Sequence, residues 1–277
     1  LKYRNFFKKQ KYPIDLVLPS KGFSDDKRKK KLNSIKKIEG KKMLCLGCGN
    51  GFELLSWLKF KPSYIEAIDI FNYKKSWDKI NKFLKENNIK TEIVFSQRDL
   101  LDLNEEKKFD FIVSDAVFEH LKRFEDVINF SRKLLSEDGV MYASYGPLWF
   151  NYSGDHFSGR DDKNHGYNHL LLNESEYSSY YKKNVGGINY EIENHGSGGL
   201  FVKENLFSKK KGNDYMNIYK KNNFISKYTV LEFCPIGYKL IRTNNKIKDK
   251  ILKKYPNLDI EDCYLKTQIV YLKKYIR

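Results

Sequence analysis

The chain has 277 residues and a mass of 32.9 kDa, and 40% of its residues are apolar. That supply builds a substantial core and excludes disorder as a global description. Lys and Arg number 52 against 35 Asp and Glu, and the net charge of +17 keeps an anionic partner in view. Most of the excess is lysine, in a chain crowded with Asn and Ile, so the charge alone does not define a binding surface. No apolar run reaches the length of a membrane span, and Leu1–Pro13 has no signal-type apolar stretch. Four cysteines (Cys45, Cys48, Cys234, Cys263) are too few to staple a fold of this size, and the expectation is a soluble cytoplasmic protein. Cys45 and Cys48 form a C-x-x-C pair, but one lies in an apolar run, the other in a glycine turn, and no second pair follows. The pair is read as structural rather than as a metal or redox centre.

Residues 21–40 read as a basic helix with one buried stripe, Leu32, Ile35 and Ile38 standing at helical spacing. Short apolar runs then alternate with longer amphipathic stretches. Strands are expected at Lys42–Leu46, Tyr64–Asp69, Thr91–Phe95, Phe109–Ser114 and Val140–Ser144. Helices are expected at Gly51–Lys59, Tyr73–Asn87 and Phe124–Leu135. This rhythm predicts an α/β fold with a parallel, doubly wound sheet. After Ser144 the rhythm breaks into a loop-rich stretch that carries four of the five histidines. Sheet-like runs return at Tyr228–Phe233, Tyr238–Ile241 and Tyr264–Tyr271. The organisation expected is a single domain over 1–277. It comprises a cofactor-binding core at 42–145, an insertion at 146–222 over the sheet's carboxyl edge, and closing strands at 223–277.

Lys42-Met43-Leu44-Cys45-Leu46-Gly47-Cys48-Gly49-Asn50-Gly51 is a strand that runs into G-x-G-x-G and then a helix. Glycine suits a turn that bends sharply and lets a ligand approach the backbone. Asp69 ends the second strand 22 residues past Gly47, where a carboxylate can accept bonds from ribose hydroxyls. The third strand ends in Gln97-Arg98-Asp99-Leu100. The fourth leads through Ser114-Asp115 into Ala116-Val117-Phe118-Glu119-His120-Leu121. A dinucleotide oxidoreductase shares the glycine turn but fits the later segments poorly.

These four elements, in order over residues 40–145, resemble a class I S-adenosylmethionine-dependent methyltransferase. The resemblance implies a Rossmann-like, seven-stranded sheet whose last strand is antiparallel. It also implies S-adenosylmethionine as cofactor and S-adenosylhomocysteine as product. By position, Gly47, Gly49 and Gly51, with Cys48 and Asn50 between them, border the methionine part of the cofactor. Asp69 and Ile70 fall at the ribose, Asp99 and Leu100 at the adenine, and Ser114 and Asp115 beside the sulfonium. Asp99 can alternatively cap a helix. Many relatives carry an acid where this chain has Cys45, a departure that lowers the expected cofactor affinity.

The segment Gly146-Pro147-Leu148-Trp149-Phe150-Asn151-Tyr152-Ser153-Gly154-Asp155-His156 opens the inserted region. With His169-Leu170-Leu171 it resembles methyltransferases of bacterial surface-glycan and capsule biosynthesis. His156 is the expected general base, with Asp155 to orient it and His120 as the next candidate. Trp149, Tyr152, His165 and His169 are the expected acceptor contacts. His165 and His169 have H-x-x-x-H spacing, and with Asp155, His156 and His195 they offer metal-ligand types. Gly166 and Asn168 argue against the helix that spacing needs, so no metal is assigned. The expected activity is O-methylation of a sugar, or of a phosphorylated or nucleotide-linked glycan precursor, with a small anionic acceptor as partner. An RNA or DNA methyltransferase is the alternative that the charge favours. It lacks D-P-P-Y, N-P-P-Y and Pro-Cys signatures, and Arg is scarce. A noncatalytic cofactor-binding protein is the third reading.

Overall fold

The computed structural model describes residues 14–17, 24–185 and 205–275. Its strands are β1 (Ile14–Val17), β2 (Lys42–Leu46), β3 (Tyr64–Asp69), β4 (Glu92–Gln97), β5 (Phe109–Asp115), β6 (Leu135–Tyr145), β7 (Phe224–Phe233) and β8 (Leu265–Lys274). They form one sheet in the order β1-β7-β8-β6-β5-β2-β3-β4. β8 runs antiparallel to both β6 and β7, and the other pairings are parallel. β2 to β8 are the seven-stranded, doubly wound sheet that the sequence pattern and its resemblance predict. β1 adds a strand to it, pairing with β7 from Ile14 opposite Thr229 to Val17 opposite Glu232. Four residues are too short a run for a period to be read, which is why β1 was not visible in the sequence.

The helices are α1 (Asp25–Ile35), α2 (Lys74–Glu86), α3 (Phe124–Leu134), α4 (Asn168–Leu171), α5 (Glu174–Val185), α6 (Gly212–Lys221), α7 (Pro235–Thr243) and α8 (Asn245–Lys254). Side chains on β2 alternate between two core layers, as the strand period requires. Met43 and Cys45 pack with Leu32 of α1 and with Trp77 and Ile80 of α2. Leu44 and Leu46 join Phe124 and Ile128 of α3 and Tyr215 of α6. Because both sheet faces are covered, the inner strands read as unbroken apolar runs.

Helix α1 is basic, but one of its lysines is not solvated. The Lys29 amine is fully buried, 2.7 Å from Asp25 and bonded to Ser56, and lies 4.9 Å from the Trp57 ring centroid. These contacts dock α1 on the 3-10 helix Phe52–Phe60, which replaces the α-helix expected after the glycine turn.

Tyr238–Ile241, expected as a strand, is instead helical within α7. Cys234 caps that helix through its sulfur, and Pro235 sits in its first turn, where its missing N–H costs nothing. A short apolar run has no period that separates strand from helix, and the Cys-Pro start was the overlooked signal. Helices α7 and α8 contribute Ile241 and Ile251 to a third core, shared with Tyr152, Tyr167 and Leu170 of the insertion. Among the described residues no helix is long and apolar enough to cross a membrane.

Candidate cofactor and acceptor site

The turn after β2 is braced from two sides. Asp69, at the end of β3, accepts the Gly49 N–H at 2.8 Å through Oδ2 and the Phe71 N–H at 2.9 Å through Oδ1. The Trp77 indole N–H donates to the Gly49 carbonyl at 2.8 Å. Gly49 has φ +51°, and a Cβ there would meet nothing within 4 Å, so the turn faces open space. Burial pushes the Asp69 pKa up, and backbone N–H groups of Phe71, Gly49 and Ile70 act against that shift. With three backbone N–H groups on the carboxylate, acceptor capacity remains for a ligand hydroxyl.

That open space is a cavity of about 910 Å³ at the carboxyl ends of the strands. Of the predicted cofactor residues, Gly47, Cys48, Gly49, Asn50, Asp69, Ile70, Asp99, Leu100 and Asp115 line it. Gly51 and Ser114 are not on its wall. A Cβ on Gly51 would stand 2.8 Å from Ile80 and Phe95, so this glycine lets the turn pack on the core. The Ser114 hydroxyl is buried and donates to the Leu46 carbonyl at 3.1 Å, joining β5 to β2. Asp99 lines the cavity and also caps the following turn, accepting the Leu101 N–H at 3.0 Å. Phe71, Tyr73, Arg98, Val117, Leu121 and Lys122 line it too and were missed in the sequence. All six lie within four residues of a predicted site residue, so strand-end position was the available signal.

Cys45 lines the cavity floor, where burial and the nearby Asp115 push its thiol pKa up and keep it neutral. The negative charge expected of relatives at that position is therefore absent, leaving Asp69 and Asp115 as the carboxylates of the floor. Burial pushes Asp115 up to about 6, although the Tyr142 hydroxyl donates to it at 2.7 Å. A cationic ligand would favour its ionised form.

Beyond Asp115 the wall includes His120, and its neighbour Glu119 is buried behind it. The Glu119 Oε1 accepts the Gly146 N–H at 2.8 Å, and burial pushes its carboxyl up to about 8. His120 Nδ1 lies 2.7 Å from the Leu206 carbonyl, which makes that nitrogen the donor and leaves Nε2 with its lone pair. His156 packs against His120 in a tilted arrangement, with ring centroids 4.9 Å apart. His120 lines the cavity and His156 does not. Burial lowers the His120 pKa to about 4 and the His156 pKa to about 3, so both rings are neutral at physiological pH.

Asp155 is held inside the insertion. It accepts the hydroxyls of Ser158 at 2.7 Å and Tyr177 at 2.5 Å, with backbone N–H groups of Phe157 and Ser158. His169 lies 3.8 Å from it and is bonded through Nε2 to the Trp149 carbonyl. These two predicted site residues hold the insertion together from within. Tyr152 packs edge-on to Tyr167 in the third core, and His165 is paired with Asp161 at the surface, at 2.7 Å. None of these, nor Trp149, lines the cavity. Trp149 approaches it indirectly, packing 4.9 Å from Phe207, whose ring is 5.5 Å from His120. His195 lies outside the described residues.

Lysines gather near the same wall. Lys122 lines the cavity, and Lys209 lies 4.9 Å over the Trp149 ring. Burial and the charge of Lys122 lower the Lys209 pKa. Among the described residues neither lysine has a carboxylate within salt-bridge distance.

A family described as a methyltransferase domain matches residues 24–184. No curated protein matches the sequence. Among solved structures, a protein from Galdieria sulphuraria, provisionally assigned as a sarcosine dimethylglycine methyltransferase, is 15% identical with a TM-score of 0.54. The match covers 91% of this chain and 85% of that one. Geranyl diphosphate methyltransferase in complex with SAM is 11% identical with a TM-score of 0.53, over 90% of this chain and 85% of that one. Phosphoethanolamine N-methyltransferase 2 of Haemonchus contortus, with phosphomonomethylethanolamine and S-adenosylhomocysteine, is 14% identical with a TM-score of 0.53. That match covers 91% of this chain and 54% of the longer one. At these identities the likeness is one of fold.

Proposed function

This chain belongs to the methyltransferase-domain family, and we propose that it transfers the methyl group of S-adenosylmethionine to a small anionic acceptor. The acceptor group is a hydroxyl of a sugar phosphate or nucleotide-linked sugar used in surface-glycan assembly. The observation that carries this reading is the two-sided cavity. Its Asp69–Gly49 side is a cradle for a nucleoside, and its opposite side carries a neutral imidazole, His120, beside the Lys122 cation.

Methyl transfer from a sulfonium is an in-line displacement. The acceptor oxygen forms the new O–C bond as the C–S bond breaks, and sulfur keeps the electron pair. The cofactor supplies the reactivity, and the protein supplies alignment, dryness and a route for the hydroxyl proton. Asp69 fixes the ribose, and Asp115 lies where its charge meets the sulfonium. The hydroxyl proton departs beside His120, the imidazole on the cavity wall. Lys122 and Lys209 meet the acceptor's phosphate, the chemistry for which an ammonium is a suitable point charge. Two proteins of the same fold take acceptors of this kind, a diphosphate and a phosphorylated base. The glycan assignment rests on the resemblance of the 147–156 segment.

The net charge of +17 favours a nucleic-acid acceptor as the second reading. One experiment separates the two. The chain is incubated with methyl-labelled S-adenosylmethionine and either a panel of sugar phosphates and nucleotide sugars or total RNA. Label in a sugar fraction is expected. Label in RNA alone, lost steeply with added salt, would replace this reading with the second.

A further inference from the structure

We propose that Glu119, His120 and His156 bind one divalent transition-metal ion on the acceptor side of the cavity. One ligand atom from each of these residues can be chosen so that all three lie within 4.8 Å of one another. Metal–ligand lengths of about 2.1 Å place neighbouring ligands about 3.4 Å apart, so small side-chain rotations close the site.

The three side chains are prepared for a cation in different ways. Glu119 is a buried carboxyl group whose Oε1 is fixed by the Gly146 N–H, while Oε2 has no hydrogen-bond partner among the described residues. A buried acceptor left in that state is costly, and a bound cation satisfies it. His120 gives its Nδ1–H to the Leu206 carbonyl, the outer partner that fixes the tautomer of a metal-binding imidazole. Asp155 makes the contrast. Its oxygens already take two hydroxyls and two backbone N–H groups, so it has no ligand capacity to offer.

The donor set chooses the ion. Two imidazole nitrogens and one carboxylate suit Mn²⁺ through Zn²⁺, whereas Mg²⁺ and Ca²⁺ favour oxygen throughout. Three protein ligands leave coordination positions open, and His120 places them at the cavity wall. On the methyl-transfer reading, which the ion's role but not its binding requires, those positions take the acceptor. An acceptor hydroxyl bound there loses its proton to water near neutral pH. The acceptor oxygen would then attack the methyl carbon of the sulfonium, and the neutral thioether would leave with the C–S electron pair.

The test uses the full chain stripped with a chelator and titrated with Co²⁺, read by visible ligand-field absorption. One Co²⁺ per chain is expected. His120→Ala and His156→Ala should each weaken it by about 100-fold or more, beyond the loss typical of an outer partner. Glu119→Gln keeps the acceptor for Gly146 and should also weaken binding, while His165→Ala, at the surface, should not. Wild-type chain without the absorption, or undiminished absorption in folded His120→Ala, would overturn the site. S-adenosylhomocysteine binding to the metal-free chain is measured alongside by calorimetry. Thioether binding by a chain that takes up no Co²⁺ overturns this inference alone, and Co²⁺ uptake by a chain that binds no thioether leaves the site standing and overturns the methyl-transfer reading.

Discussion

The Asp69 carboxylate accepts the N–H of Gly49 at 2.8 Å, so the group placed to hold a ribose also braces the turn that faces it. Strand end and loop thus form one unit, with Trp77 holding the following peptide through the Gly49 carbonyl. The site is shaped before any ligand arrives, which reduces the ordering cost of binding.

The glycines of that turn should separate stability from binding. Gly49→Ala forces a side chain into φ +51° and puts a methyl into the open cavity. It should cost about 1 kcal/mol of stability and weaken S-adenosylhomocysteine binding by about tenfold or more, the worth of about 1.4 kcal/mol of lost contact. Gly51→Ala drives its methyl against Ile80 and Phe95 at 2.8 Å. That substitution should lower the urea midpoint, by about 1–3 kcal/mol in stability. Equal effects of the two changes on both readouts would contradict this division.

Asp115 should make cofactor binding pH-dependent. Its pKa in the free chain is raised to about 6 by burial. For stability the sign is that of a raised acid: the contribution is fully present below the unfolded value of about 3.9 and is lost as pH rises through about 6. For a cationic ligand the sign reverses, because the ionised carboxylate attracts it. S-adenosylmethionine affinity should fall as pH drops below about 6, and Asp115→Asn should flatten that dependence between about pH 5 and 8. An unchanged slope in the Asn variant would remove Asp115 from the sulfonium.

The insertion should depend on Asp155 for its stability. Burial pushes that carboxyl up, but His169, Tyr177 and Ser158 together more than offset it, and the pKa ends below the ordinary range. The stabilisation is therefore present above the unfolded value of about 3.9 and fades as pH falls through the lower folded one. Asp155→Ala should cost about 3 kcal/mol, leaving the Tyr177 and Ser158 hydroxyls without their acceptor. Thermal unfolding followed by fluorescence of the insertion's Trp149 region checks it. A loss of turnover with unchanged stability would return Asp155 to catalysis.

The cofactor half of the site was legible because its residues are local. A strand end, a glycine turn and the next strand end fix Gly49 and Asp69 within one β-helix-β unit, where spacing and position carry the information. The acceptor half draws on distant segments. Glu119 and His120 follow β5, His156 comes from the insertion, and the Leu206 carbonyl that sets the His120 tautomer lies 86 residues beyond it. Contacts of that kind leave no period in the sequence, so neither the cavity position of His120 nor the hydroxyl partners of Asp155 could be read from it. Tyr238–Ile241 misled for another reason. Four residues of mixed apolar character fit either a strand or a helix, and only the Cys234–Pro235 start decides between them.

The central claim is that the Asp69 cradle binds the nucleoside of S-adenosylmethionine. The most direct measurement is a calorimetric titration of S-adenosylhomocysteine into the wild-type chain and into Asp69→Ala, with the fold of both checked by circular dichroism. One site per wild-type chain is expected. Loss of the charged hydrogen bond of about 1.5–3 kcal/mol should weaken binding to the variant by roughly 10–100-fold. A folded wild-type chain that takes up no S-adenosylhomocysteine, or a folded Asp69→Ala chain that binds it equally well, would contradict the account.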